Sequence, residues 1–383
     1  NGVVAIYQED PAASQLDSDG DGLPDCWEGA GKGIPYTTVA GNGALYEFPG
    51  SRPNHKDLYL ELDAMVGMSP VPGTLDSLVR AFDRAPVHGN PDGTDGIHLH
   101  IVGKNAPNQC DPCVDEEVPG APAWPSALAD LCTFRGDPAI GFAGGHFGSP
   151  GEHGEAPLLA AKARAFRYGV MAWGERADPC SDLGVARGFP AADFVLLLGH
   201  ARNQRQREDW RFQAGAIMHE FGHCLGLYHG GNTNDNQKPS YKSVMNYIWA
   251  YPVLWGGVAG FTEQEYQRYT DSWRLDYSSR AFNTLNEDAL EETSAGGIGG
   301  DPGYWTPVGP TGDHGLLYGC NTSGLPFLTR MNGPVNWNRD PVYDGTRTYC
   351  GDINTIMPNR DPSCPMPAAS PHDVLSGYDD WSN

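Results

Sequence analysis

His219-Glu-Phe-Gly-His223-Cys-Leu-Gly226-Leu-Tyr-His229 has the form H-E-x-x-H-x-x-G-x-x-H, and each constant position has a mechanical reason. Residues four apart share one face of a helix, so His219 and His223 can aim two imidazoles at one metal. Glu220 lies one position on, beside the ion instead of on it, where a general base for an activated water belongs. Gly226 takes a positive φ at little cost, so the helix can end there and the chain reverse, returning His229 as a third ligand. Three protein ligands and one open position is the pattern of a catalytic zinc, whereas structural zinc sites are closed by four. The bland alternative, a helix that happens to carry three histidines, leaves the glutamate and the glycine unexplained.

Ser243-Val-Met245-Asn-Tyr247 follows the third histidine. The two motifs together resemble the metzincin clan of zinc endopeptidases, in which a methionine turn lies beneath the zinc. The form S-V-M-x-Y is most similar to the astacin and serralysin versions, whose tyrosine lies near the metal. The residue after the third histidine, Gly230, matches none of the main families of the clan. Lys238-Pro-Ser-Tyr-Lys-Ser-Val-Met-Asn-Tyr247 and Leu275-Asp-Tyr-Ser278 also resemble a group of secreted microbial proteins. The resemblance implies an α+β fold, with a metzincin-like catalytic domain built from a twisted mixed sheet, an active-site helix and the Met-turn. It gives Met245 and Gly226 structural roles and makes Tyr247 a catalytic residue that approaches the developing oxyanion. It also implies a protein or peptide substrate lying extended along an edge strand.

A second constellation stands near the start, Asp17-Ser-Asp19-Gly-Asp21-Gly22-Leu23-Pro-Asp25-Cys-Trp-Glu28. Carboxylates occupy loop positions one, three, five, nine and twelve, and glycine holds position six, the ligand spacing of a twelve-residue calcium loop. Asp17, Asp19, Asp21, Asp25 and Glu28 would bind through side chains and Leu23 through its carbonyl. No amphipathic helix precedes the loop, which resembles the single loops of dockerins and thrombospondin repeats. The expected ion is a structural Ca2+, and an acidic solvated turn is the alternative.

Lys and Arg number 25 against 48 Asp and Glu, a net charge of −23, which argues against nucleic acid or an anionic membrane surface as partner. No apolar run is long enough to span a bilayer. Nine cysteines in an acidic, loop-rich chain, which begins at Asn1 and shows no signal peptide, suggest a processed, secreted, extracellular and disulfide-bonded protein, with a monomer expected. Nine is odd, and Cys224 on the active-site helix is the candidate for a free, buried thiol. Cys110 and Cys113 are expected in disulfides, and Asn321-Thr-Ser323 is a glycosylation sequon.

Asp57-Leu-Tyr-Leu-Glu-Leu-Asp63 alternates as a half-buried strand does, and Thr74 to Arg84 has helical periodicity with Thr74 as its cap. Gly96 to Val102 alternates again; His98 and His100 share one face of it without an acidic partner in register and read as ordinary strand residues. Residues 105–155 read as a disulfide-tied surface insertion whose end, with His146, Glu152, His153 and Glu155, reads as a mobile loop; a second metal there is the alternative, disfavoured because no fixed ligand spacing appears. A helix at 157–167, strands at 168–173 and 193–198, and the helix Asp209 to Leu225 follow. Residues 230–237 form a polar loop, 262–274 and 287–292 read as helical, and 296–301 reads as a linker. Asp340, Asp344, Asp352 and Asn354 are weak candidates for a further ion.

The expected organisation is an N-terminal calcium-loop segment (1–52), a metzincin-like zinc protease domain (53–294, upper part 53–229 and lower part 230–294) and a loop-rich, disulfide-tied C-terminal region (295–383). The expected activity is a secreted zinc metalloendopeptidase, with zinc on His219, His223 and His229 and Glu220 as general base. The rival is a zinc-containing binding or adhesion protein with little turnover. The intact Glu220, Gly226 and Met245 weigh against it.

Overall fold

The computed structural model describes residues 16–102, 117–118, 131, 134–173, 183–200, 204–251, 262–287, 289–292, 297–308, 311–313, 327–337, 348–351, 354 and 373–382. The chain groups into two units, residues 1–226 with 381–383 and residues 227–380.

The first unit is arranged about a mixed sheet. A short antiparallel hairpin of Ile34–Thr37 (β1) and Gly43–Tyr46 (β2) precedes it. The sheet strands are Asp57–Met65 (β3), His98–Val102 (β4), Glu117–Val118 (β5), Phe166–Ala172 (β6), Gly184–Gly188 (β7) and Ala191–Leu197 (β8). They run in the order β4-β3-β6-β8-β7, with β5 pairing on β3. All neighbours are parallel except β7, which lies antiparallel to β8 at the edge. Between the strands come helices Thr74–Asp83 (α1) and Ala156–Lys162 (α2), then Gln204–Arg207 (α3) and Trp210–Cys224 (α4). The expected order of elements is present, with β5, β7 and the short helix α3 added.

β3 is not half-buried, because all nine of its residues are buried. Its odd-numbered face carries Asp57, Tyr59, Glu61 and Asp63, and a cluster that includes Trp27, Phe48, Phe147, Phe166 and Tyr168 closes over it. Alternation marks two chemically different faces, and here the polar face is covered too. Its carboxylates therefore need partners inside the protein. Glu61 accepts from the Gly148 amide (2.6 Å) and pairs with the Lys162 ammonium (2.6 Å), while Asp63 accepts from the Tyr168 hydroxyl (2.6 Å). Lys162 also meets Glu152 at 2.8 Å. Burial alone would lower the Lys162 pKa, but the two carboxylates outweigh it and hold the ammonium above its ordinary value. The stretch expected to be a mobile loop is thus tied to the sheet through Gly148 and Glu152. Arg135 and Arg187 meet the buried Asp193 of β8 in the same way.

α1 begins at Thr74, but Gly73 in the left-handed region is its cap, and the Thr74 side chain makes no capping bond. The Thr74 hydroxyl instead donates to Gln213 Oε1 (3.1 Å), which also accepts from the Val71 amide (2.8 Å). Gln213 thereby fastens α4 to the start of α1. α4 is capped by Asp209, whose Oδ1 accepts from the Arg211 amide at 2.9 Å. Cys224, at its last turn, is a free and fully buried thiol. Trp381 belongs to this unit and is buried edge-on against Phe82 of α1, with ring centroids 5.4 Å apart.

In the second unit, helix Glu263–Ser272 (α5) opens with a capping box between Thr262 and Glu265. Its Tyr269 joins Trp249, Trp273, Ile298, Val308, Met331 and Trp337 in one buried cluster. Residues 287–292 are not helical: Leu285–Asn286 and Leu290–Glu291 are two short strands, each paired with a strand from beyond residue 340. Nor is 296–301 a bare linker, since Ile298 is fully buried and its carbonyl accepts from the Asn283 amide (3.0 Å). Cys110, Cys113, Cys320, Cys364, the Asn321 sequon, Asp340, Asp344 and Asp352 lie outside the described residues. Among the described residues, no helix is long and apolar enough to cross a membrane.

Lys162→Met should leave Glu61 buried opposite an apolar chain end. Removing one partner of such a buried pair costs ~3–5 kcal/mol. Urea unfolding at neutral pH should show that loss, and a change below about 1 kcal/mol would mean that water or another cation replaces the ammonium.

Candidate active site and calcium loop

The last two turns of α4 carry His219 and His223, with ring centroids 5.0 Å apart and planes at 89°. Leu225 caps the helix and Gly226 follows at φ +86°, the left-handed turn that the motif requires. Within this eleven-residue stretch the chain brings the third imidazole back: His219, His223 and His229 each offer a ligand atom, all within 4.8 Å of one another. Three neutral imidazoles that leave coordination positions open are a donor set suited to zinc. The residues present therefore fit the ion that the sequence implies.

Glu220 is buried beside them on the helix. Strand β7 passes so close that a Cβ on residue 184 would collide with the Glu220 carboxylate, and Gly184 provides the clearance. The antiparallel edge of the sheet and the expected general base are thus immediate neighbours. Gly184 carries no signal in the sequence, since β7 has too few apolar residues to stand out.

Met245 is fully buried, and its amide donates to Ser243 Oγ at 3.2 Å. Asn246 fixes the turn by donating to the carbonyls of Lys238 (2.8 Å) and Tyr241 (2.7 Å). Tyr247, which follows, is 42% exposed, and its ring lies 4.6 Å from that of His229. Its amide donates to Asn236 Oδ1 at 3.0 Å, joining the turn to the polar loop after the third histidine. In that loop the buried Lys238 ammonium donates to the Gly230 carbonyl (2.8 Å). Burial lowers the Lys238 pKa to about 8.

In the N-terminal loop, Asp17 accepts from the Gly20 and Gly22 amides, Asp19 from Asp21, and Asp21 from Leu23. These bonds coil the backbone around its own carboxylates. Asp17, Asp19 and Asp21 gather ligand oxygens within 4.8 Å of one another, and so do Asp21, Glu28 and Asp57. Asp25 stands apart, accepting from the Ser18 amide and hydroxyl (both 2.8 Å). Position nine of such a loop often reaches its ion through water.

Both Glu28 oxygens and Asp19 Oδ2 are buried without a hydrogen-bond partner. Orphaned carboxylate oxygens facing other carboxylates fit a hard cation, and position twelve is where a bidentate ligand belongs. Burial, then the neighbouring acids, push Glu28 up to about 10 in the ion-free chain. Asp21 rises to about 8, mainly through burial with Asp19 adding to it, and Asp19 rises to about 6.

Asp57 belongs to no local motif, yet it is the acidic partner that His98 and His100 lack along the chain, which corrects their reading as ordinary strand residues. In parallel register Asp57 of β3 faces His98 of β4, and its Oδ1 lies 2.5 Å from His100 Nε2. That partner comes from a neighbouring strand 41 positions before His98, a pairing that spacing along the chain does not reveal.

Comparison with protein-family models, with curated proteins and with solved structures finds no match.

The calcium-free chain should have an inverted pH profile. Glu28, Asp21 and Asp19 titrate at about 10, 8 and 6 when folded. In the unfolded chain such groups titrate near ~4. The folded state then holds more protons than the unfolded one, so stability falls as pH rises from about 4 to about 10. Saturating calcium should flatten that fall. Melting curves with chelator and with calcium across this range test it. A chelated protein that melts higher at the alkaline end would refute the loop's role.

Proposed function

We propose that this chain is a zinc-dependent endopeptidase with a metzincin-like catalytic domain. The observation that carries the reading is the convergence of His219, His223 and His229 within 4.8 Å. Glu220 lies beside them against the edge strand. A zinc bound by the three imidazoles would polarise the scissile carbonyl and acidify a water. Glu220 takes the proton of that water and hands it to the leaving amine; its burial keeps bulk water from competing for this exchange. β7, the edge strand among the described residues, would pair with an extended peptide and bring the substrate backbone alongside the general base. Tyr247, partly exposed and next to His229, would donate its hydroxyl to the charge that develops on the carbonyl oxygen. The coiled loop at Asp17–Glu28 is read as a structural calcium site.

Glu220→Ala should cut peptide hydrolysis by ~10²–10⁴-fold while zinc content stays that of the parent protein. Full turnover in that variant would remove Glu220 from the mechanism. Tyr247→Phe deletes only the hydroxyl and should lower kcat by ~10²–10³-fold, with KM and melting temperature unchanged. If stability falls instead and kcat holds, the tyrosine is a packing residue. A fluorogenic peptide library with metal analysis reads both variants. Zinc bound without cleavage of any member would favour a binding protein.

A further inference from the structure

Beside the calcium loop stands a second group of donors that neither motif includes. β4 presents His98 and His100 on one face, next to β3. His100 Nε2 lies 2.5 Å from Asp57 Oδ1, and His98 Nδ1 lies 3.5 Å from the same oxygen. The two imidazole nitrogens and the carboxylate oxygen fall within 4.8 Å of one another. The Asp57 side chain is fully buried, whereas the imidazoles keep 32% and 25% of their surface exposed. An ion could therefore arrive from solvent on the histidine side.

Both rings are held by packing. His100 stacks on Tyr59, with centroids 4.7 Å apart and planes at 13°. Behind it, a Cβ on residue 50 would come within 2.8 Å of Cε1, so only glycine leaves the ring its place. His98 stacks on His55, with centroids 3.7 Å apart. His55 is itself 3% exposed, and its Nδ1 faces Asp92 and Thr94, both at 3.1 Å. The other ring nitrogen of His55, Nε2, is buried with no hydrogen-bond partner. A buried imidazole nitrogen without a partner, on a ring stacked against His98, is a second sign that this corner is built for a group that side chains do not supply.

We propose that Asp57, His98 and His100 form a second metal site, distinct from His219, His223 and His229, for a divalent transition ion such as Zn2+. Two imidazoles and one carboxylate are the donors of a borderline ion, not of calcium, and leave further positions for water. His100 and Asp57 share a short hydrogen bond, whereas His98 Nδ1 at 3.5 Å is too far for a good one, and a cation placed among the three donors would engage all of them. The second role of Asp57 gives the site its meaning. Its amide donates to Asp21 Oδ2 at 2.7 Å, and its carboxylate groups with those of Asp21 and Glu28. One residue thus borders both ions, so the site ties the edge strand β4 to the calcium loop. Occupancy of one position changes the charge seen by the other.

The test uses the full chain with calcium present and the first site removed by His219→Ala and His223→Ala, so its outcome does not depend on the proposed peptidase activity. Cobalt(II) is the probe. One equivalent should still bind, with visible absorption that zinc abolishes by displacement. Adding His98→Asn and His100→Gln should eliminate that binding while the circular dichroism spectrum stays unchanged. X-ray absorption of the zinc-loaded first variant, which needs no further substitution to fold, should show two imidazoles together with oxygen donors. Loss of all cobalt binding on removing the first site would overturn the proposal. So would equal binding with and without His98 and His100, or a shell lacking imidazole.

Discussion

Asp57, Glu61 and Asp63 stand on one face of β3, and none of them reaches water. A carboxylate taken out of water without compensation is among the most expensive things a fold can contain, so each must be answered within the protein. The answers come from distant segments. Lys162 and the Gly148 amide meet Glu61, Tyr168 meets Asp63, and the histidines of β4 with the Arg52 amide meet Asp57. Through these contacts β3 dictates where α2, the 146–155 segment and β4 must lie. The aromatic cluster over this face gives the apolar burial, and the ionic partners make the arrangement specific.

The proposed zinc site stands on different physics. α4 needs no charge to place its histidines, because four-residue spacing on a capped helix aligns them. What remains is to end the helix at the right residue and to leave room for Glu220. Leu225 and Gly226 meet the first need, and the bare backbone at Gly184 meets the second. One constellation is thus written within a few turns of chain, while the other is assembled from across the sheet.

That difference explains what could be read from the residues alone. Helical spacing exposed His219, Glu220, His223, Gly226 and His229, and loop spacing exposed Asp17 to Glu28, because in both the geometry is local. The chain order of the main strands and helices of the mixed sheet was legible for the same reason. Asp57 was not, since its relation to His98 and His100 depends on a parallel pairing that no local pattern encodes. β3 looked half-exposed because alternation reports the polarity of two faces and not whether something covers them. The segment 287–292 looked helical by composition, yet its burial is satisfied by two-residue strands paired with chain from beyond residue 340, a tertiary override of local preference.

Trp381 is buried against Phe82 although 299 positions separate them. During synthesis at about 5–20 residues per second, α1 emerges tens of seconds before the indole that covers one side of its phenylalanine. Until then the unit that carries β3 and α4 presents an apolar gap and lacks its last packing partner. The additional loop-closure entropy is modest, since each doubling of the loop costs only about 0.6 kcal/mol. Its effect is on timing, because the first unit to be made is the last to be sealed. A nascent chain therefore passes through that interval with one side of Phe82 uncovered.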